Sequence, residues 1–271
     1  LVFHDGRWHR EDELTEHSPE LKSIEEWDKT FDEERRQAKS VEQRIAEAKA
    51  RVTGEPMPSD AEERSPHLVT ADKLAEKLDA GDTISAKELF AIADDVHGGT
   101  RAQGKYGHSE ATDSLEAAVN KTLDGKTDPT ADLEEARRQA AEMAKQVDQL
   151  PTQTNRSGNK DDLQQFSTPP HYSFAVAWAA NIKPGDVVLE PSAGTGSLAI
   201  HAKNAGADVY VNELDDRRAD FLRDQFGAEH THVQNAEQIG AILPGEGVPM
   251  ADVVIMNPPF STADQHILHA Y

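Results

Sequence analysis

The 271-residue sequence contains no cysteine, so a disulfide framework, a thiolate metal site and a cysteine nucleophile are excluded from it. Aromatic residues make up 6 % and hydrophobic residues 37 %, below the roughly 45–50 % apolar share of an ordinary globular domain. This shortage indicates that a sizeable polar segment accompanies a smaller core. No apolar run approaches the roughly 18 residues of a membrane-spanning helix, and residues 1–10 lack a signal-peptide pattern, so we expect no membrane partner.

Basic side chains are fewer than acidic ones: the chain has 28 Lys and Arg residues and 50 Asp and Glu residues, and its formal net charge is −22. Acidic residues exceed basic ones in both parts of the chain, 35 against 21 in residues 1–150 and 15 against 7 in residues 151–271. We therefore expect no broad phosphate-binding surface here, and a solvated acidic surface is the simpler interpretation. A protein of this charge that acts on nucleic acid needs its basic face elsewhere in the full chain or in a local groove.

Residues 1–150 have the apolar spacing of helices. Spacings of three, four and seven residues predict a long amphipathic helix over residues 18–52, within a first region at residues 1–53. Prolines and polar residues then predict a linker over residues 54–67. A small helical domain follows over residues 68–150.

Helices in this domain are predicted over residues 71–78, 86–96, 109–123 and 128–150. Ser85 and Glu88 form a capping box at the start of the second one. The last helix carries an apolar stripe at heptad spacing from Leu133 to Leu150, which either mediates self-association or packs against the preceding helices. The stripe is short and contains two alanines, so packing within the chain is the favoured interpretation.

From residue 161 the pattern changes to short runs of β-forming residues separated by helical stretches. Strands are predicted over residues 186–190, 207–214, 230–233 and 251–256, and helices over residues 197–204 and 216–226. Connections this short predict a parallel sheet wound by right-handed crossovers. Since ligands bind at the carboxyl ends of such strands, the loops that follow them form the candidate site.

The loop after the first of these strands is rich in glycine and runs from Glu190 to Gly196. Residues 194–199 match the dinucleotide fingerprint, and Glu213 follows 19 residues after Gly194, so a nicotinamide-dependent dehydrogenase is one hypothesis. A phosphate-binding P-loop is excluded because no Lys-Ser/Thr pair follows the glycines. However, a strand that ends in a carboxylate favours a ligand with a cationic group over one with a pyrophosphate.

The tetrapeptide Asn257-Pro-Pro-Phe260 follows the fourth strand. Two prolines fix the backbone, remove two N–H donors and hold the preceding residue extended. A planar amine can then donate one hydrogen to Asn257 Oδ1 and one to the Pro258 carbonyl while its ring stacks on Phe260. This arrangement stabilises the positive charge that develops as the nitrogen attacks an electrophile. A rigid turn that only closes the strand is the structural alternative.

Three stretches of this chain resemble, in the same order, those of S-adenosylmethionine-dependent DNA adenine-N6 methyltransferases, in the class whose cofactor motif precedes the catalytic one. They are Phe166-Ser-Thr-Pro-Pro170, Leu189-Glu-Pro-Ser-Ala-Gly-Thr-Gly196 and Asn257-Pro-Pro-Phe260. The resemblance covers about residues 161–271. It implies a Rossmann-like α/β methyltransferase fold in residues 151–271, of which the first four parallel strands are present, after an all-α region.

The resemblance also implies roles for individual residues, with S-adenosyl-L-methionine as cofactor and no metal. The catalytic loop would be Asn257, Pro258, Pro259 and Phe260. The cofactor-binding set would be Phe166, Thr168, Pro169, Glu190, Pro191, Ala193, Gly194, Gly196, Glu213, Leu214 and Asn235. Glu213 would bind both ribose hydroxyls and Leu214 would pack on the cofactor adenine. Asn235 stands where the family usually has Asp, so its contact with the adenine amino group lacks a charge.

The implied reaction is methyl transfer to the exocyclic N6 amine of an adenine flipped out of double-stranded DNA. Methylation of cytosine C5 is excluded because it needs a cysteine nucleophile. Methylation of cytosine N4 uses the same amine chemistry, but the resemblance disfavours it because those enzymes more often have Ser or Asp where Asn257 stands. Methylation of guanine N2 in RNA or of a glutamine amide in a protein uses similar loops and stays an alternative. A non-catalytic helical interaction protein with a methylase remnant is the competing class.

The helical first part resembles leaders of large phage- or plasmid-borne methylase–helicase proteins. This likeness implies a cytoplasmic protein of prokaryotic or phage origin, with a helicase module in the full-length chain, and leaves a restriction or anti-restriction context open. Such a fold needs about seven strands and four are predicted here. We therefore expect a fragment that lacks the DNA-recognition part and does not methylate on its own.

Overall fold

The computed structural model describes residues 2–4, 7–9, 64–147, 150–151, 168–259 and 263–270. The chain divides into two compact units, residues 1–63 and residues 64–271. In the first unit, strand β1 (Val2–His4) pairs antiparallel with β2 (Arg7–His9). The sequence analysis missed this hairpin, although Asp5-Gly6 is a strong signal for a two-residue hairpin turn. The helix predicted over residues 18–52 lies outside the described residues.

Four helices open the second unit: α1 (Pro66–Asp79), α2 (Ala86–Val96), α3 (His108–Leu123) and α4 (Leu133–Val147). Helix α1 begins five residues earlier than predicted, inside the predicted linker, because proline fits the first turn of a helix, where its missing N–H costs nothing. The capping box of α2 is confirmed. Ser85 Oγ accepts from the Glu88 N–H at 3.2 Å, and the Glu88 carboxylate accepts from the Ser85 N–H at 3.1 Å.

The start of α4 differs from its prediction at Asp128. Asp128 Oδ1 accepts from the Thr130 N–H at 2.9 Å and closes a local turn instead of capping a helix. Asp132 takes that role, because its Oδ1 accepts from the N–H groups of Glu134 and Glu135, each at 3.0 Å. Sequence pattern located the helix, and a competing side-chain bond moved its beginning.

The apolar stripe of α4 packs within the chain. Ala136 and Met143 are buried together with Leu123 of α3 and Phe174 of helix α5 (Pro170–Ala179). Leu133, at the start of the stripe, stays 48 % exposed. Intramolecular packing was the favoured interpretation, and the partners include a helix that follows α4 as well as one that precedes it. Self-association through the helices stays a prediction.

Strands β3 (Val187–Glu190), β4 (Asp208–Asn212), β5 (Thr231–His232) and β6 (Val253–Val254) form a parallel sheet in the order β5-β4-β3-β6. Val188 of β3 lies opposite Val209 on one side and Val253 on the other. The chain thus adds β4 and then β5 on one side of β3, and finally β6 on the other side. This is the order of the first four strands of a Rossmann fold. The predicted fold class is confirmed, and the strand order reverses between β3 and β6.

Helices cover both faces of this sheet. They are α6 (Ala199–Asn204), α7 (Asp216–Phe226), α8 (Ile239–Ile242) and α9 (Ala263–Ala270). Successive residues of a strand point to opposite faces: Val188 packs with Ala199 and Leu222, whereas Leu189 packs with Ile239. Within the described parts of the chain, no helix combines the length and apolar character needed to cross a bilayer.

The helical region packs on α7 through an apolar contact and a buried ion pair. Ala117 of α3 and Phe221 of α7 share one buried cluster. Asp113 of α3 binds the Arg218 guanidinium through two bonds, Oδ1 to Nη2 at 3.1 Å and Oδ2 to Nε at 3.2 Å. Both side chains are almost fully buried, so each charge depends on the other for its solvation. Helices α1–α4 and the sheet therefore belong to one compact unit.

Candidate active site

The predicted site residues that the structure describes lie at the carboxyl edge of the parallel sheet. Most of them lie at or after the ends of β3, β4, β5 and β6, as residues 190–196, residues 213–214, Asn235 and residues 257–259, whereas Thr168 and Pro169 precede helix α5. Doubly wound proteins bind their ligands in this crevice, where the strand order reverses. Phe166 and Phe260, which were predicted to contact cofactor and substrate, lie outside the described residues.

Two glycines of the loop after β3 adopt left-handed backbone conformations, with φ of 58° at Gly194 and 92° at Gly196. A Cβ atom at Gly196 would lie 3.0 Å from Phe226 Cε2 and 3.1 Å from Leu222 Cδ2. Gly196 therefore lets the loop lie directly on α7, which is the role of the close-packing glycine in Rossmann loops. At Gly194 the nearest atom to such a Cβ is Arg218 Nη1, 3.8 Å away, so backbone conformation and not space selects glycine there.

Glu213, the residue after β4, holds this loop. Its Oε2 accepts from the Gly194 N–H at 2.8 Å, and its Oε1 accepts from the Asp215 N–H at 2.9 Å. Burial raises the pKa of Glu213, while the Arg218 guanidinium opposes the rise. A carboxylate offers about four acceptor positions, and these two bonds occupy two. The group therefore has acceptor capacity for donors on a ligand.

Leu214 and Asn235 lie beyond the ends of β4 and β5. Leu214 is 52 % exposed, so a large apolar side chain stands open next to the buried Glu213 carboxylate. Asn235 is exposed, and its Oδ1 accepts from the Glu237 N–H at 3.0 Å. The oxygen that was predicted to accept from a cofactor adenine thus closes a local turn in this structure.

Glu190, at the end of β3, is only 1 % exposed. Its Oε2 accepts from the Ala199 N–H at 2.8 Å, at the start of α6. Burial raises the pKa of Glu190 well above its ordinary value, the bond from Ala199 opposes this, and nearby Glu213 raises the pKa further. Two buried acids thus lie at the ends of neighbouring strands, where burial favours their neutral forms and a cationic ligand would favour their charged forms.

The catalytic and cofactor loops predicted from the sequence are joined through Thr168. Asn257 Nδ2 donates to Thr168 Oγ1 at 2.9 Å, and the Thr168 carbonyl accepts from Ser197 Oγ at 2.8 Å. Ser197 directly follows the last glycine of the cofactor loop. Thr168 was predicted to contact the cofactor, and its hydroxyl here orients the amide of Asn257. Pro258 and Pro259 continue the loop half-buried.

The segment that carries Thr168 is fixed by the start of α5. The Pro169 carbonyl accepts from the N–H groups of Tyr172 and Ser173 at 2.9 and 3.0 Å, so Pro169 sits at the helix entrance. Ser173 Oγ lies 2.8 Å from Ser197 Oγ. The first turn of α5 and the glycine loop therefore share a hydroxyl contact beside the Thr168 link.

Two residues that support the site were not found by sequence reasoning. Asn212 is buried at the end of β4, where its Nδ2 donates to the carbonyls of Pro191 and Gln234 at 3.0 and 2.9 Å. It also accepts, through its backbone carbonyl, from the Ala193 N–H at 2.9 Å. An asparagine that ends an apolar strand is a usable signal for such a role. His266 of α9, whose Nδ1 lies 2.9 Å from Ser192 Oγ, has no local signal.

No protein-family model and no curated protein matches the chain. Among solved structures, the chain is similar to the crystal structure of a candidate RNA methyltransferase from Pyrococcus horikoshii, with 26 % identity over 49 % of this chain and 67 % of that chain. The TM-score of 0.38 is too low for this likeness to support a conclusion about the fold or the reaction. Both are inferred from the strand order and from the site residues.

Replacing Glu190 by Gln should remove the buried charge and keep an oxygen that accepts from Ala199. Because the pKa of Glu190 is higher in the folded protein than in the unfolded chain, the folded state binds more protons between the two values. Wild-type stability therefore falls as the pH rises through that window. We expect Glu190→Gln to be more stable than the wild type at pH 8, with an advantage that shrinks as the pH approaches 5.

Urea unfolding between pH 5 and pH 8 measures this difference. Glu76→Gln, at an exposed position of α1, is the matched control and should show no such trend. An advantage of Glu190→Gln that stays constant across the pH range would show that its buried charge is not the cause.

Proposed function

We propose that this chain binds S-adenosyl-L-methionine at the carboxyl edge of its sheet and forms the reaction chamber of a larger protein that methylates the exocyclic N6 amine of adenine in DNA. One observation carries this proposal: the strand order brings the glycine loop and the Asn257 loop to the same crevice, and Thr168 bonds to Asn257 and to Ser197, the residue after the last glycine of the loop. A Rossmann-like sheet hosts many reactions, so the residues of the crevice and not the fold decide between them.

The residues present fit a nucleoside ligand that carries a positive charge. Glu213 offers carboxylate oxygens for ribose hydroxyls, the exposed Leu214 offers an apolar surface for a base, and Gly194 lets the backbone approach closely. When bound, S-adenosylmethionine supplies a methyl group on a positively charged sulfur. The buried carboxylates of Glu190 and Glu213 match that charge. A pyrophosphate would bring further negative charge to the same place, which disfavours the dehydrogenase hypothesis.

The Asn257 loop supplies the acceptors for the substrate amine. Asn257 Nδ2 faces Thr168 Oγ1 in this structure, so Oδ1 of the same amide faces the other way. Asn257 Oδ1 and the Pro258 carbonyl are then the two acceptors for the two hydrogens of a planar amine. Acceptors fixed in advance stabilise the positive charge on a reacting nitrogen without having to reorganise. The nitrogen that has accepted the methyl group carries a positive charge and releases one proton to water readily, so no side chain is required as a general base.

Double-stranded DNA is the proposed partner, on the strength of the three motif stretches. The 271 residues carry a formal net charge of −22, and so many acidic side chains leave few basic ones to contact DNA phosphates. We therefore infer that the duplex is held by another part of the full protein, and that this chain contributes the reaction chamber. Guanine N2 in RNA and the glutamine amide of a protein are the competing substrates.

Cofactor binding is tested by calorimetry with S-adenosylmethionine on the wild type and on Glu213→Gln. Losing a charged acceptor for ligand hydroxyls costs about 1.5–3 kcal/mol, so we expect the Kd to rise roughly 10- to 100-fold. Glu76→Gln, on the surface of α1, should bind like the wild type. Heat with NADH and none with S-adenosylmethionine would favour a dehydrogenase.

The substrate is identified by mapping methylated positions in DNA from cells that express the complete gene. We expect N6-methyladenine at a defined sequence in the wild type and none in Asn257→Ala. Thr168→Val, which removes only the hydroxyl that orients Asn257, should slow methyl transfer about 10- to 100-fold and leave the cofactor Kd nearly unchanged. Thr168→Ser keeps the hydroxyl and should retain most of the activity.

Other outcomes separate the alternatives. Label from S-adenosylmethionine that enters RNA or protein but not DNA would retain methyl transfer and reject the DNA substrate. Cofactor binding by the complete gene product without transfer to any of the three would favour a non-catalytic methylase remnant.

A further inference from the structure

The glycine loop is also held from outside the sheet, by helix α3 of the helical region. Thr195 stands between the two loop glycines and is only 2 % exposed. Its carbonyl accepts from Asn120 Nδ2 at 2.8 Å, and its hydroxyl donates to Glu116 Oε2 at 3.3 Å. Glu116 and Asn120 are four residues apart, so they lie on one face of α3.

A third residue on α3 acts on the layer beneath the loop. Asp113 holds the Arg218 guanidinium, whose Nη1 is the nearest atom to a Cβ built at Gly194, at 3.8 Å. Asp113 is three residues before Glu116 and continues the same face of the helix. The α3 face thus contacts the loop directly and also the side chain that underlies it.

The contacts from α3 and from the residue after β4 fix nearby groups of the loop backbone. Glu213 accepts from the Gly194 N–H, and Asn120 donates to the Thr195 carbonyl, two peptides further along. Asn120 is 2 % exposed, so without its amide the Thr195 carbonyl would be buried and unsatisfied. A loop held on both sides in this way meets its ligand without having to be ordered first.

We propose that Asn120 and Glu116 are positioning residues for cofactor binding, and that α3 sets the conformation of the glycine loop. The helical region is then part of the cofactor site and not a separate attachment. A displacement of α3 that breaks its bonds to Thr195 changes the affinity for the ligand of the loop. The identity of that ligand rests on the proposed function, whereas the control of the loop by α3 does not.

Asn120→Ala tests this role against a matched control, Asn204→Ala. Asn204 joins the same two parts of the protein, because its Nδ2 donates to the Leu123 carbonyl at 2.8 Å, but it lies at the far end of α6 from the loop. Both variants should lose stability in urea unfolding. Only Asn120→Ala should weaken binding of S-adenosylmethionine, by roughly five- to tenfold in calorimetry, because fewer molecules hold the binding conformation.

A second readout needs no ligand. The amides of Gly194 and Gly196 donate to Glu213 and to the Ala193 carbonyl, so their hydrogen exchange reports opening of the loop. We expect faster exchange at these amides in Asn120→Ala and unchanged exchange in Asn204→Ala. Thr195→Val keeps the volume of the side chain and the backbone carbonyl that accepts from Asn120, but it loses the bond to Glu116 and the 3.5 Å contact of the hydroxyl with Asn120 Nδ2. It should give a smaller change in the same direction, which serves if Asn120→Ala does not fold.

The outcomes separate the two proposals. Equal effects of Asn120→Ala and Asn204→Ala on loop exchange, or no effect of either, would overturn the role of α3. Faster loop exchange in Asn120→Ala alone, in a protein that gives no heat with S-adenosylmethionine, would support the role of α3 and reject the proposed cofactor.

Discussion

The hydrogen bond from Asn257 to Thr168 connects two loops that are distant in the sequence and that face one crevice in the fold. Its position follows from the sheet, because β6 returns to the free side of β3 and so places the Asn257 loop next to the glycine loop. Thr168 bonds to Asn257 through its hydroxyl and to Ser197 through its carbonyl. Thr168 therefore fixes the position of the Asn257 loop relative to the start of α6. Methyl transfer between a bound donor and a bound acceptor requires such fixed relative positions.

The buried acids of the same crevice destabilise the fold. Glu190 and Glu213 are buried at the ends of adjacent strands, and burial raises the pKa of each. Apolar residues at these positions would remove that cost, as they do at Val188 and Val211 deeper in the sheet. The acids are instead held by backbone N–H groups of Ala199 and Gly194, which favour their charged forms and oppose part of the effect of burial. Unfavourable charge of this kind is typical of sites whose ligand carries the opposite charge.

The sequence pattern correctly predicted those helices and strands that are determined by residues close to one another in the sequence. The alternation of strands and helices predicted the parallel sheet, and helix α7 was predicted with its observed bounds, since Asp215 caps it through the Arg218 N–H. The predicted start of α4 was wrong because the Asp128 side chain accepts from the Thr130 N–H and closes a local turn. The bonds from α3 to Thr195 could not be predicted, because they join residues 75 or more positions apart and depend on how the helical region packs on α7.

The glycine loop and the Asn257 loop are proposed to line one shared pocket, and chemical-shift changes on addition of S-adenosylmethionine to the full chain measure this directly. The amides of Gly194, Gly196 and Leu214 and the side-chain amide of Asn257 should show the largest changes, and all should saturate at the same ligand concentration. Changes confined to one of the two loops, or centred on other strands, would contradict a shared pocket.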